Sequence, residues 1–251
     1  MSVYATSDWH GYMSIYSEVK AFLQPDDIVY FLGDANDRGV DGYVLIKLIY
    51  NDPQFKYLKG NHEQMFVDVA RSWKNSGLID EQCYKFNTSA YRMIKNNQGV
   101  RTFDDWRKDG APMDWPEQLD LLPLYDVYEN KDGVKIFLSH AGCTLWQERG
   151  VEDGTITLFD DLLWRREHIY DEWDEQCPRN FKVIHGHTPI PLLKERLGEW
   201  GPAKIQPYWY ADNHKCCLDQ MTFSNGCTCL MDLDTFEYKI FRDPHVMEGL
   251  V

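Results

Sequence analysis

Basic residues are scarce. The chain of 251 residues carries 26 lysines and arginines against 40 aspartates and glutamates, a formal net charge of −14. That balance speaks against nonspecific nucleic-acid binding, which needs a basic footprint. It leaves anionic substrates open, because bound divalent cations reverse the sign of a local field. Long apolar runs are missing as well, and none approaches the length of a membrane span. The N-terminus lacks a basic flank followed by the apolar core of a secretory signal. The expectation is a cytoplasmic protein without a membrane partner. Seven cysteines, an odd number without a secretory signal, read as reduced thiols. Cys216, Cys217, Cys227 and Cys229 lack the paired Cys-x-x-Cys spacing of a zinc site. No repeat or low-complexity tract occurs. What is present is 43% hydrophobic and 14% aromatic residues, enough for one sizeable core and too much for disorder.

The chemistry concentrates where apolar runs stop. Ile28-Val29-Tyr30-Phe31-Leu32 reads as a buried strand that delivers Gly33-Asp34-Ala35-Asn36-Asp37-Arg38-Gly39. Two carboxylates and a guanidinium in one glycine-flanked loop suit a site holding cations and a phosphate together. Read alone, the heptapeptide is equally a capped turn. Ser2 to Ser7 is a first strand ending at Asp8-Trp9-His10-Gly11, an Asp and a His able to turn toward one ion. Residues 14–23 and 41–50 are expected to be helices, so the order is β-α-β-α and the sheet parallel. Phe55 to Lys59 is the next strand, and it delivers Gly60-Asn61-His62-Glu63 at the start of a helix over residues 62–74. Asn61 reads as a helix cap or a neutral metal ligand, His62 as a solvent-facing residue or a proton donor.

Residues 76–120 read as a polar helical insertion over one end of the sheet, with Trp73, Trp106 and Trp115 forming its small core. A hairpin follows, with Leu124 to Tyr128 and Val134 to Leu138 flanking Asn130-Lys131-Asp132-Gly133, and it ends at Ser139-His140-Ala141-Gly142. The adjacent Arg165 and Arg166, within residues 156–174, would ordinarily be a solvated helix face. Phe181 to Ile184 leads to His185-Gly186-His187-Thr188-Pro189. Pro207-Tyr208-Trp209-Tyr210 reads as an aromatic loop. The tail reads as short antiparallel strands over Lys215 to Asp219, Cys227 to Met231 and Glu237 to Phe241. Asp8, His10, Asp34, Asn61, His140 and His187 thus all follow predicted strands and precede loops. In a parallel or mixed sheet such ends gather along one edge. Two carboxylates, one amide and three imidazoles suit two ions sharing a bridging Asp, which can hold a hydroxide and clamp an in-line displacement at phosphorus.

These stretches, in this order and spacing, resemble the signature set of the PPP-type metallophosphoesterases, from residue 2 to about residue 240. Gly60-Asn61-His62-Glu63-Gln64-Met65 and Trp164-Arg165-Arg166-Glu167 are similar to the bacterial and phage branch typified by the phage lambda protein phosphatase. The Ser-Ala-Pro-Asn-Tyr motif of the animal and plant enzymes is absent. The resemblance implies an α/β fold, a β-sandwich flanked by helices, with a dimetal site at the strand C-terminal ends. It implies that Asp8 and His10 bind the first ion, that Asp34 bridges, and that Asn61, His140 and His187 bind the second. His62 would protonate the leaving oxygen with Asp37 holding its ring, and Arg38 and Arg166 would bind phosphate oxygens. The cofactors implied are two divalent ions, manganese foremost, with iron or zinc as the other candidates.

The sequence departs from the family at three places. Ser7 stands where Gly is usual before the first Asp. His185 replaces an apolar residue and competes with His187, which is favoured because it lies beyond the Gly turn. Asp219-Gln220-Met221-Thr222 replaces Asp-Thr-Gly-Ala. The function implied is a serine/threonine protein phosphatase or related phosphomonoesterase, in one domain spanning residues 1–251. The alternatives are a hydrolase of diadenosine polyphosphates or other nucleotides, which shares every metal motif, and a metal-stabilised interaction module that has lost catalysis. That last class should lack a ligand, the acid or the arginines, and here all are present.

Overall fold

Alternation in Ile28-Val29-Tyr30-Phe31-Leu32 decides the architecture. Successive side chains on a strand point to opposite faces. Val29 and Phe31 enter one apolar cluster, Tyr30 and Leu32 another, so this strand is covered on both sides. The computed structural model describes residues 1–76, 92–143, 158–170, 180–202 and 204–246. Among them, β1 (Val3–Thr6), β2 (Ile28–Phe31), β3 (Phe55–Tyr57), β9 (Cys227–Asp232) and β10 (Tyr238–Arg242) form a first sheet in the order β10-β9-β1-β2-β3. A second sheet has the order β4-β5-β6-β8-β7, from β4 (Tyr125–Glu129), β5 (Lys135–Ser139), β6 (Phe181–His185), β7 (Tyr208–Tyr210) and β8 (Lys215–Cys217).

The sheets pack face to face. Val3, Ala5, Leu32 and Met231 of the first meet Ile136, Leu138, Ile184 and Leu218 of the second in one buried cluster. Helices α1 (Met13–Phe22), α2 (Gly42–Asn51) and α3 (Asn61–Ser76) cover the outer face of the first sheet through Ile15, Val19, Ile46, Ile49 and Phe66. The outer face of the second is covered by Ile190 and Leu193 of the helix Ile190–Arg196 and by Ile169. The expected sandwich flanked by helices is therefore observed. Within each sheet the site-bearing strands are parallel: β1, β2 and β3 in the first, β5, β6 and β8 in the second. Parallel strands present all their C-terminal ends along one edge, which is why distant loops converge.

The tail differs from its expected form. Lys215–Cys217 pairs in parallel with β6 and antiparallel with β7, while Cys227–Asp232 crosses to the other sheet. Alternation explains the split, since Cys216 faces the core between the sheets and Cys217 the outer one. The apolar content of each segment was legible, but its partner depended on residues far away in sequence. Tyr208-Trp209-Tyr210 is likewise an edge strand and not a loop. Trp106 does not build a core of its own either. It is fully buried in the cluster that α2 and α3 share with the first sheet, together with Met93, Phe103 and Leu119. Residues 77–91 of the expected insertion, and the outer parts of the 156–174 stretch, lie outside the described residues. Among the described residues, no helix is long and apolar enough to cross a membrane.

Candidate dimetal active site

Trp9 explains why Asp8 and His10 face the same way. Its indole is fully buried, packs edge-on against Phe31 at 4.9 Å and donates to Thr6 Oγ1 at 2.9 Å. With Trp9 driven into the core, its neighbours on either side turn the other way, bringing His10 Nε2 to 3.9 Å from Asp8 Oδ1 and 4.0 Å from Asp34 Oδ2. Asp8 and His10 adopt left-handed backbone at φ 57° and 45°. Asp34, Asp37, Arg38 and His187 do the same at φ 63°, 66°, 62° and 65°. This conformation costs a non-glycine residue about 1–3 kcal/mol and persists only where surroundings enforce it.

Glu63 supplies much of that enforcement. Its buried carboxylate accepts from the backbone N–H groups of Asp34 (2.9 Å), Ala35 (2.7 Å) and Gly60 (2.8 Å) and from the Tyr57 hydroxyl (2.8 Å). Close approach across the edge does the rest. A Cβ at Gly186 would overlap Ser7 Oγ and Asp8 Oδ2, and one at Gly60 would overlap Asp34. Ser7 donates to Asp8 Oδ2, and the His187 N–H adds a bond to the same oxygen at 3.1 Å. The unexpected serine therefore orients the aspartate.

Asp34 lies at the centre. Its Oδ1 is 3.3 Å from His140 Nε2, and its Oδ2 is 4.0 Å from His10 Nε2 and 3.6 Å from His62 Nε2. Oδ1, which also accepts the His62 N–H at 3.0 Å, thus reaches the second sheet's histidine, while Oδ2 faces the two imidazoles of the first. Two groups can hold an ion, His10-Asp34-His62 and Asp34-His140-His187, and Asp34 belongs to both. Asp8 Oδ1 stands 3.9 Å from His10 Nε2. Asn61 Oδ1 lies 2.8 Å from both His140 Nε2 and His187 Nδ1, which are 3.1 Å from each other.

The histidine tautomers suit cation binding. His10 Nδ1 and His140 Nδ1 each face a backbone carbonyl, Asn36 O at 3.0 Å and Leu32 O at 2.8 Å. A carbonyl only accepts, so those nitrogens carry the proton and Nε2 offers its lone pair inward. His187 is turned round, with Nε2 on Trp164 O at 3.2 Å and Nδ1 facing in. With both rings neutral, two imidazole lone pairs and an amide oxygen therefore converge, an arrangement that a cation satisfies.

The electrostatics agree. Burial, with Asp219 and Asp34 nearby, pushes Asp8 well above the usual carboxylate range. Burial would raise Asp34 too, but the charges of His140 and His62 hold it well below that range. Burial would lower His140, yet the Asp34 carboxylate outweighs it and sets it at about 9. A proton there stands where a cation would bind, so metal uptake must release it. Burial and the Arg38 charge keep His10 well below its ordinary value.

His62 Nδ1 meets Asp37 Oδ2 at 2.8 Å, leaving Nε2 toward Asp34. Asp37 is itself held by Asn36 Nδ2 at 2.9 Å and by Thr102 Oγ1 on its N–H at 3.2 Å. Arg166 is not on a solvated helix face. It follows the helix Leu158–Leu163 and donates through Nε to Thr188 Oγ1 at 3.1 Å and through Nη2 to His187 O at 3.4 Å. Arg38 packs its guanidinium 4.0 Å above the Phe223 ring. His185 stays out of the cluster, with Nδ1 on Gly186 O at 2.9 Å and Nε2 on the Tyr210 hydroxyl at 2.8 Å.

Sequence reasoning assigned no role to Glu63 or Asp219. Glu63 lay in a quoted motif, but its bonds are to backbone groups, which no spacing reveals. Asp219 follows β8 as His187 follows β6, given the register His185↔Cys217. It is buried, pushed up to about 6 by that burial, and lies within the fields of Arg38, Asp34 and His140. The strand-end logic reaches Asp219 once β8 is known to be parallel. The four cysteines do not assemble a zinc site, since Cys216 and Cys229 face the core between the sheets and Cys217 the outer one.

A model of the Calcineurin-like phosphoesterase family matches residues 1–218. The chain is similar to the asymmetrical bis(5'-nucleosyl)-tetraphosphatase of Oceanobacillus iheyensis, at 22% identity over 171 residues, 64% of this chain and 62% of that protein. The match therefore spans less than two thirds of the relative. Among solved structures, a candidate diadenosine tetraphosphatase has a TM-score of 0.58 at 14% identity, with 96% of this chain and 92% of that one covered. A cold-active protein-tyrosine phosphatase of a psychrophilic Shewanella species has a TM-score of 0.56 at 15% identity, with 96% and 77% covered. At such identities the likeness is one of fold.

Proposed function

This chain belongs to the calcineurin-like phosphoesterase family, and we propose that it is a dimetal-dependent phosphomonoester hydrolase acting on phosphoserine, phosphothreonine or similar esters. The observation that carries the reading is Asp34, one carboxylate shared by two buried ligand groups. By the family resemblance Asp8, taken in place of His62 of the first group, would hold one ion with His10 and Asp34, and Asp34, Asn61, His140 and His187 would hold the other. Two divalent ions supply Lewis acidity toward phosphoryl oxygens and lower the pKa of water. The rest of the chemistry falls to side chains. Arg38 and Arg166 grip equatorial oxygens of the phosphoryl group. His62 hands a proton from Nε2 to the leaving oxygen, while Asp37 fixes its tautomer through Nδ1.

Imidazole-rich ligand sets favour transition metals over magnesium, which supports manganese, iron or zinc. The motifs Gly60-Asn61-His62-Glu63 and Trp164-Arg165-Arg166 are the ground for placing the chain in the bacterial and phage branch. Cys216, Cys217, Cys227 and Cys229 are buried thiols without a disulfide, which suits a reducing cytoplasm. A second reading, hydrolysis of dinucleoside tetraphosphates, is favoured by the Oceanobacillus relative.

The test is hydrolysis of a phosphoserine peptide, diadenosine tetraphosphate and nitrophenyl phosphate after exhaustive chelation, then with manganese added. Loss on chelation and recovery with manganese, with the peptide turned over fastest, is expected. Preference for the tetraphosphate selects the second reading. Full activity without detectable metal overturns both.

A further inference from the structure

Arg38 is held in an unusual way. Several basic side chains rest on carboxylates, Lys59 and Arg71 on Asp120 and Arg101 and Lys108 on Asp105, whereas Arg166 of the same site rests on Thr188 Oγ1 and the His187 carbonyl. Among the described residues no carboxylate lies within ion-pair distance of Arg38. Two neutral groups hold it instead. The Phe223 ring covers one face of its guanidinium at 4.0 Å. Asn97 Oδ1 accepts from Nη2 at 3.5 Å, and Asn97 O accepts the Arg38 backbone N–H at 3.1 Å.

Both partners are themselves fixed. Asn97 directly follows a π-helical turn, Arg92–Asn96, a rare conformation that is frequent at functional sites. Its amide closes that turn by donating to Arg92 O at 2.8 Å. Phe223 follows Met221, whose left-handed backbone (φ 61°) is held by its N–H donating to Asp219 Oδ1 at 2.9 Å. The Tyr12 hydroxyl donates to Phe223 O at 3.1 Å and ties this loop to the one bearing His10. The backbone offers no alternative anion cradle here. The N–H of Asp37 is taken by Thr102, that of Arg38 by Asn97, and that of Gly39 by His10 O at 2.8 Å.

We propose that Asn97 and Phe223 are positioning residues that fix the pose of the Arg38 guanidinium without neutralising it, and so set the affinity of the site for a phosphoryl dianion. A carboxylate partner would hold the arginine as firmly but cancel the charge that the substrate needs. An unsupported arginine would keep its charge and lose rotamer freedom on every binding event. An amide oxygen and an aromatic face avoid both costs, leaving the remaining guanidinium donors for ligand oxygens.

This inference rests on the reading that Arg38 binds phosphate, and the experiment separates the two. Asn97→Ala, Phe223→Leu and Arg38→Lys are made singly, and each of the first two is combined with Arg38→Lys. KM for nitrophenyl phosphate and Kd for inorganic phosphate are measured on the metal-loaded protein, with metal content and melting temperature alongside. Asn97→Ala should weaken phosphate binding on the order of tenfold, the size of a coupling between adjoining side chains. Phe223→Leu should weaken it several-fold, as loss of a cation–π contact does. Both effects should vanish in the Arg38→Lys background, with metal content unchanged. Equal losses in both backgrounds overturn the positioning role and leave the role of Arg38 standing. An Arg38→Lys variant with unaltered phosphate affinity overturns the Arg38 reading, and the inference with it. If Asn97→Ala unfolds the turn, Phe223→Leu alone still decides, because it lies on another element and keeps an apolar side chain.

Discussion

The two sheets contribute unlike halves to one site. The first brings Asp8, His10, Asp34, Asn61 and His62 from within the first 63 residues, along with Asp37 and Arg38. The second brings His140 and His187, with Asp219 and Arg166 beside them. One half is mainly anionic and carries the proposed acid. The other is mainly imidazole and depends on the first for charge, since the Asp34 carboxylate outweighs burial in setting His140 at about 9. Metal capture by the second half thus leans on a residue of the first, and the first leans back on the second, through the His140 charge that lowers Asp34 and the His187 N–H on Asp8 Oδ2 at 3.1 Å.

Asp34→Asn should break this coupling most severely. Both ligand groups lose their shared anion, so two ions should be lost together. Turnover should fall by more than the about 10²-fold typical of losing a group that only orients a ligand. His187→Ala should remove one ion and leave the other. Elemental analysis beside kcat decides the matter, and an Asp34→Asn protein that retains two ions at near-normal rate would refute the bridge.

His62→Asn should sharpen the comparison by disabling the chemistry of the first half without emptying it. General acid catalysis contributes about 10²–10⁴-fold where the leaving group needs a proton. A seryl alkoxide needs one and a nitrophenolate does not, so the loss should be of that size on phosphoserine peptide and clearly smaller on nitrophenyl phosphate. Asp37→Asn should give a milder version of the same pattern. Equal losses on the two esters would assign His62 to positioning instead.

The smallest effect belongs behind the second half. His168 is buried and kept well below its ordinary value by that burial, with the charges of His185, Lys215 and Arg166 acting the same way. The Tyr210 hydroxyl lies 3.4 Å from its Nδ1, and Lys215 Nζ donates to its carbonyl. The unfolded chain takes up the proton near pH 6.5 and the folded one only at lower pH, so stability should be full above about 6.5 and decline as pH falls. His168→Gln should flatten the urea midpoint between about pH 6.5 and 5. A midpoint whose slope is unchanged in that variant would place the titration elsewhere.

The same division governs what could be read from the sequence. In the first half each candidate ligand follows its strand within a few residues, and the strands are joined by amphipathic helices, so Asp8, Asp34 and Asn61 could be read together as strand-end candidates, though each alone also read as a turn or cap. In the second half His140 and His187 were legible as strand ends, but the parallel partnership of Lys215–Cys217 was not, and Asp219 stayed hidden with it. Side chains that serve the backbone were invisible for another reason. Glu63, Asn97 and Thr102 act on N–H and C=O groups, which every residue shares, so no pattern of residue types announces them. Ser7, noted only as a departure, gained its role from Asp8, whose Oδ2 also accepts the N–H of His187, 179 residues beyond that aspartate.

That 179-residue bond also bears on how the molecule comes into being. Loops between partners so remote are closed late, because their entropy cost precedes any reward. Asn61 and His187 are 126 residues apart, and the ligand group they share cannot exist before the two sheets dock. Asp8, Asp34 and Asn61 lie within the first 63 residues, whereas His140 and His187 are far later in the chain. Cation uptake by that group is therefore expected to mark a late step of folding. In refolding it should trail the burial of Trp9, and a manganese-sensitive probe read beside tryptophan fluorescence would time the interval between them.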